Sequence, residues 1–259
     1  MEPELTGVTH LLVSDPRVPQ LYRDYLVACH GILRATIPLL QTARREALAR
    51  DESASRTLAS YLETHIQEEA GEDEWLLQDL EVLGVDRSTV FEHVPSPQVA
   101  RLVGAQYYWV LHVDPIAILG YLAALERDPP SLEFIDDLVL RTGHDRAAFR
   151  TLIAHAARDP DHAEELDDLL DRIELTEDQW LLVTLSAINS VHMLAMVLKE
   201  IVQPAVVAPG GIEPAHVGLE TASGAVGISG ASTITTFAAG GGPAAGDGGP
   251  ATETVTVPR

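Results

Sequence analysis

The chain has 259 residues, room for one or two domains, and carries 39 acidic against 17 basic side chains for a formal charge of −22. That charge excludes nucleic acid as a partner and argues against an anionic membrane surface. A single cysteine, Cys29, excludes an internal disulfide framework, and Glu2 and Glu4 stand where a secretory signal would be basic, so a cytoplasmic setting is expected.

In chain order, Met1–Pro19 reads as an arm entering the fold. Leu21–Leu48 follows as a long helix with apolar spacing at Leu26, Leu33, Ile37 and Leu40. Pro38 should kink it by removing a backbone donor, and His30 lies on or beside its apolar face. After a loop at residues 51–55, an acidic helix is expected from about Ser55 to Leu83. Its centre, THIQEEAGEDEWLLQDLEVLG, places His65, Glu69 and Glu72 at i, i+4 and i+7, with Glu68 at the edge of the same face. Trp75, Leu76, Leu80 and Leu83 continue as an apolar stripe to Gly84, a stop signal. Carboxylates this close repel one another unless solvent, protons or a cation intervenes. The face is either metal-binding or a solvated acidic surface.

A turn at Val94–Pro97 precedes an apolar, aromatic stretch from Val99 to Glu126, broken at Asp114-Pro115, where Asp114 is expected to cap the next segment. Glu126 ends that segment as a ligand or as a surface residue. His112 could be a ligand or equally a satisfied core histidine, and Tyr107, Tyr108 and Trp109 suit either a substrate pocket or, for at least two of them, core packing. Ser131–Arg141 reads as a helix closed by Gly143. Arg146–Arg158 and Pro160–Arg172 are helical runs meeting at Asp159-Pro160. If the helix continues through Pro160, then His155, Asp159 and His162, again at i, i+4 and i+7, share one face; if it does not, Asp159 simply caps the second run. Thr176–Val202 is the last helix, with a capping arrangement at Thr176–Gln179 and with Asn189 and His192 in need of partners if buried. Ser186, Asn189 and His192 interrupt its apolar run, so no membrane span is expected. Before residue 204 no stretch alternates with period two, and the fold class is all-α. Residues 204–259 hold 12 of the 19 glycines and one of the 17 Lys and Arg residues. This tail is expected to be a disordered segment outside a helical domain of residues 1–203, with strand-like content only in Ile228–Phe237.

Three stretches together, HIQEEAGEDEWLLQDLEVLG, QYYWVLHVDPIAILGYLAALE and the triplet His155/Asp159/His162, resemble the heme-oxygenase-like diiron oxidases and oxygenases over roughly residues 20–200. The resemblance implies a helical bundle of about seven helices. It also implies two iron ions (manganese suits the same ligands) held by a Glu and a His from one helix, a Glu from a second and His-x3-Asp-x2-His from a third. Carried over, the ligands are His65, Glu69, Glu72, Glu126, His155, Asp159 and His162. The implied reaction is oxidation by dioxygen of a small molecule such as an amino acid, amine or fatty acid. Relatives carry a histidine where Glu72 stands and a carboxylate near the position of His65, and close relatives have a histidine in place of Asp114. Two other readings stay open: a heme protein using His30 as axial ligand, and a catalytically impaired scaffold whose tail is a tethered peptide or contacts a partner protein. A homodimer is compatible with the sequence.

Overall fold

Two prolines inside helices and one acidic break decide how the chain folds around its site. In the computed structural model, residues 3–203 are described. They form ten α-helices: α1 (Pro3–Ser14), α2 (Val18–Leu48), α3 (Ser53–Glu68), α4 (Glu72–Val82), α5 (Arg87–Glu92), α6 (Pro97–His112), α7 (Ile118–Glu126), α8 (Leu132–Thr142), α9 (Arg150–Arg172) and α10 (Glu177–Val202). Short 3-10 turns occupy Pro115–Ala117 and Arg146–Phe149, and no strand occurs among the described residues. The fold is all-α. The tail, with the expected disorder of 204–259 and the strand-like Ile228–Phe237, lies outside the described residues.

The expected arm is itself a helix, α1, which packs on α10. The expected single helix from Ser55 to Leu83 is two helices, and the reason is electrostatic. Gly71 adopts φ +95°, which ends α3 and starts α4. A helix N-terminus favours negative charge and a C-terminus disfavours it. The break gives Glu72, Asp73 and Glu74 a helix N-terminus, whereas one continuous helix would have carried five carboxylates through its middle. The opposite outcome holds at Pro160. α9 runs unbroken from Arg150 to Arg172, so Asp159 is not a cap and the His155/Asp159/His162 face is intact. α2 likewise continues through Pro38.

α2 is the spine. It packs on α3, α4, α6 and α10 and contributes to both apolar clusters of the bundle. Leu39, Leu40, Leu58, Leu62, Leu102 and Leu122 anchor one cluster, and Tyr22, Leu26, Leu76, Leu80 and Phe149 the other. Each such side chain contributes about 1.5–3 kcal/mol on burial. Tyr22 stacks on Phe149 at 4.4 Å and donates its hydroxyl to the Ala148 carbonyl at 2.9 Å, fixing α2 against the turn that leads into α9. Asp79 of α4, fully buried, accepts the Thr151 backbone N–H at 2.9 Å. That bond satisfies one of the orphan donors at the start of α9 and sets the register of the helix that carries half the site.

Asp114 caps the 3-10 turn as expected, accepting from Ile116 N–H at 2.9 Å. It also receives Arg50 and Gln179, so its position is structural. Ser186 interrupts α10 for a reason: with Ser190 it closes a buried network on Gln106 of α6, through bonds of 2.9 and 3.0 Å. His192 is exposed beside Glu4. The expectation that no apolar run reaches spanning length is corrected. By length and composition α2 and α10 could each cross a membrane; in α10 the interrupting Ser186, Asn189 and His192 do not break the apolar stretch, and Leu181, Leu185 and Ile188 are exposed. Both helices pack into the bundle.

The capping box at Thr176 is present, with Gln179 N–H donating to Thr176 Oγ1 and Thr176 N–H donating to Gln179 Oε1. Thr176→Ala is expected to cost about 1 kcal/mol, read as a lowered urea midpoint with an unchanged slope. A midpoint equal to that of the parent chain would show that α10 does not depend on its cap.

Candidate metal centre

All seven residues expected from the sequence converge. His65 and Glu69 come from the end of α3, Glu72 from the first turn of α4, Glu126 from the last residue of α7, and His155, Asp159 and His162 from one face of α9. Five of them, Glu69, Glu72, Glu126, His155 and Asp159, line a cavity of about 1080 Å³. The rest of the lining is mostly apolar and comes largely from α1, α2 and α10, through side chains such as Leu12, Leu26, Ile32, Leu194 and Val197.

Five of the seven fall into two groups by how they are satisfied. In the first, His65, Glu126 and His162 offer ligand atoms that lie within 4.8 Å of one another. His65 is 1% exposed, Glu126 7% and His162 6%. His65 Nε2 sits 3.1 Å from Glu126 Oε1 without the alignment of a hydrogen bond. Both nitrogens of His65, Glu126 Oε2 and His162 Nδ1 have no aligned hydrogen-bond partner, although His162 Nδ1 lies 3.5 Å from Glu69 Oε1. Folded proteins rarely leave buried polar atoms unpaired, because each costs about 1–3 kcal/mol. A cation among the three would satisfy them at once. In the second group, Glu72 has both oxygens occupied: His155 Nε2 contacts Oε2 at 2.8 Å, and Arg158 Nη1 donates to Oε1 at 2.8 Å.

The electrostatics follow this division. Burial, reinforced by the neighbouring Glu72, pushes the Glu69 carboxyl up to about 8. Burial also raises Asp159 to about 6, against the pull of His155. Burial alone would raise Glu72, but its hydrogen bond to His155 and the charges of His155 and Arg158 outweigh burial and hold it below the ordinary carboxylate range. Burial would lower His65 and His155; the carboxylates Glu126 and Glu72 beside them outweigh it and raise both. The neighbouring carboxyls Glu69 and Glu72 are thus held apart, one up and one down, a pattern common at functional clusters.

Sequence reading missed the groups that surround these ligands. Arg158 lies one turn beyond His155 on the same face of α9, and its second nitrogen donates to the Glu68 carbonyl at 2.7 Å while its guanidinium rests 5.4 Å from the centre of the Trp75 ring. Tyr61 lies one turn before His65 and stacks on it at 5.3 Å, with a hydroxyl that has no partner. The i+3 and i−4 spacings were there to be read. Tyr107, Tyr108 and Trp109 do not line the cavity: Tyr107 and Trp109 pack on the apolar core, and Tyr108 is exposed against His112. His30 does not line it either. It is buried edge-on to Phe91 and faces a separate pocket of about 400 Å³.

No protein-family profile matches the chain, and no curated protein matches it. Solved structures do resemble it. A domain of unknown function with a heme oxygenase-like fold from Shewanella denitrificans superposes with a TM-score of 0.64 at 22% identity, over 77% of this chain and 83% of that one. A TenA homolog from Pseudomonas syringae pv. tomato gives 0.59 at 11% identity, over 77% and 90%. A CADD-like protein of unknown function from Nostoc punctiforme gives 0.56 at 19% identity, over 78% and 99%. The chain therefore has the heme-oxygenase-like fold.

Proposed function

We propose that this chain is an iron-dependent oxidase or oxygenase that uses dioxygen on a small molecule held in the apolar cavity. The observation that carries this reading is the group of unpartnered buried atoms on His65, Glu126 and His162, beside a cavity that could hold an organic substrate. Two imidazoles and a carboxylate suit iron, and manganese after it, and leave coordination positions open. When bound, ferrous iron would supply the first electron to dioxygen, and the organic substrate or an external reductant would have to supply the rest.

The protein's own residues have separable tasks. Tyr61, stacked on His65, and the α7–α9 packing that holds Glu126 against His162 fix the ligand side chains before any ion arrives. Burial keeps water from the ligand atoms, and the raised Glu69 carboxyl holds a proton near neutral pH beside Glu72. The cavity volume and its leucine, isoleucine and valine walls exceed what a free amino acid fills and suit a substrate with an apolar chain, such as a fatty acid or a long-chain amine. A reducing cytoplasm suits both the lone Cys29 and a ferrous ion.

The test is oxygen uptake. Anaerobic protein loaded with ferrous iron and mixed with aerated buffer is expected to consume dioxygen faster than His162→Ala protein given the same iron, and to consume more when a long-chain fatty acid or amine is present. Equal uptake by the two proteins under both conditions would remove the support for this reading.

A further inference from the structure

Resting on the metal-binding reading above, we infer that the chain binds a single metal ion, on His65, Glu126 and His162, and that the guanidinium of Arg158 takes the charge-neutralising place of a second ion at Glu72 and His155. The observation is the difference in satisfaction between the two halves of the centre. The ligand atoms of the first half make only ion-pair contacts of 3.1 and 3.5 Å without an aligned hydrogen bond, whereas each oxygen of Glu72 already has a partner at 2.8 Å. Two imidazoles and one carboxylate converging within 4.8 Å form the donor set of mononuclear non-heme iron sites, which need no second metal to keep positions open.

Arg158 is held where it is by more than Glu72. Because α3 stops at Glu68, the carbonyl of Glu68 is free of the helix ladder, and Arg158 Nη2 donates to it at 2.7 Å. A cation at the end of a helix is favoured by the axial dipole there. Trp75, from the following helix, places its ring 5.4 Å from the guanidinium. A divalent ion entering between Glu72 and His155 would have to evict a charged group from a carboxylate, a helix-end carbonyl and an aromatic face together. The break between α3 and α4 thus does two things: it frees the Glu68 carbonyl and presents Glu72 to the arginine rather than to a metal.

The test uses manganese as the probe on the full chain. Metal-free wild-type protein titrated with Mn(II) is expected to bind one equivalent, with the electron paramagnetic resonance signal of an isolated ion. Arg158→Met, which keeps the stem over Trp75 and removes the charge, is expected to bind a second equivalent with a signal from two coupled ions, while Arg158→Lys stays at one. Glu72→Gln provides a check that does not depend on how the arginine variants fold. It should change wild-type affinity by no more than about threefold, whereas Glu126→Gln should lower it at least about 100-fold. Two coupled ions in wild type would overturn the inference and leave the metal reading standing, and no bound manganese would remove both. One equivalent in Arg158→Met would overturn the role given to the arginine, as would equal losses in Glu72→Gln and Glu126→Gln.

Discussion

Gly120→Ala is expected to cost about 3 kcal/mol, the upper end of what overpacking a core costs, and to lower the urea midpoint accordingly. The reason is the closeness of α7 to α10. A methyl group on Gly120 would collide with the Val183 carbonyl, lie 2.6 Å from the Ala187 backbone nitrogen and reach 2.8 Å from Ser186 Cβ. Two of these neighbours are backbone atoms of α10, so no rotamer change relieves the clash. The helices must part. Their separation would also strain the Gln106 network through Ser186 and move the C-terminal end of α7, where Glu126 sits. An alanine chain with the parent's midpoint would mean that α7 and α10 are not packed this closely.

His162→Ala is expected to weaken metal binding by at least about 100-fold, since even groups outside a metal's first ring of ligands are worth 10–100-fold. The metal-free variant should nevertheless lose less stability than truncation of a fully bonded buried imidazole would cost. The substitution removes a buried nitrogen without an aligned hydrogen bond, and losing it offsets much of the packing lost with the imidazole. With metal at about 100 times its dissociation constant, the parent should gain about 2.7 kcal/mol and the variant almost nothing. Thermal melts with and without Mn(II) measure both. An equal metal-induced shift in the two proteins would rule out His162 as a ligand.

Much of this centre was legible in the sequence because helical periodicity is strictly local. His155, Asp159 and His162 needed only an unbroken helix, and α9 supplies it through Pro160. The all-α class and the caps at Asp114 and Thr176 followed from equally local signals. What could not be read was how helices end against one another. The stop at Gly71 depends on the balance of five carboxylates between two helix dipoles and on an arginine 90 positions away from Glu68 that meets the exposed carbonyl. No spacing rule encodes that meeting. For the same reason Glu72 looked like one more ligand in a row, and its capture by Arg158 emerges only when α4 and α9 are brought together. Tyr107 to Trp109 were open between a pocket and the core, and core packing holds for Tyr107 and Trp109 while none of the three lines the cavity.

Elemental analysis tests the central claim most directly. Wild-type protein loaded anaerobically with excess ferrous iron, then passed through gel filtration, should retain iron, and His65→Ala, Glu126→Gln and His162→Ala proteins treated identically should emerge without it. Wild-type protein that retains neither iron nor manganese, or variants that retain as much as wild type, would contradict the account.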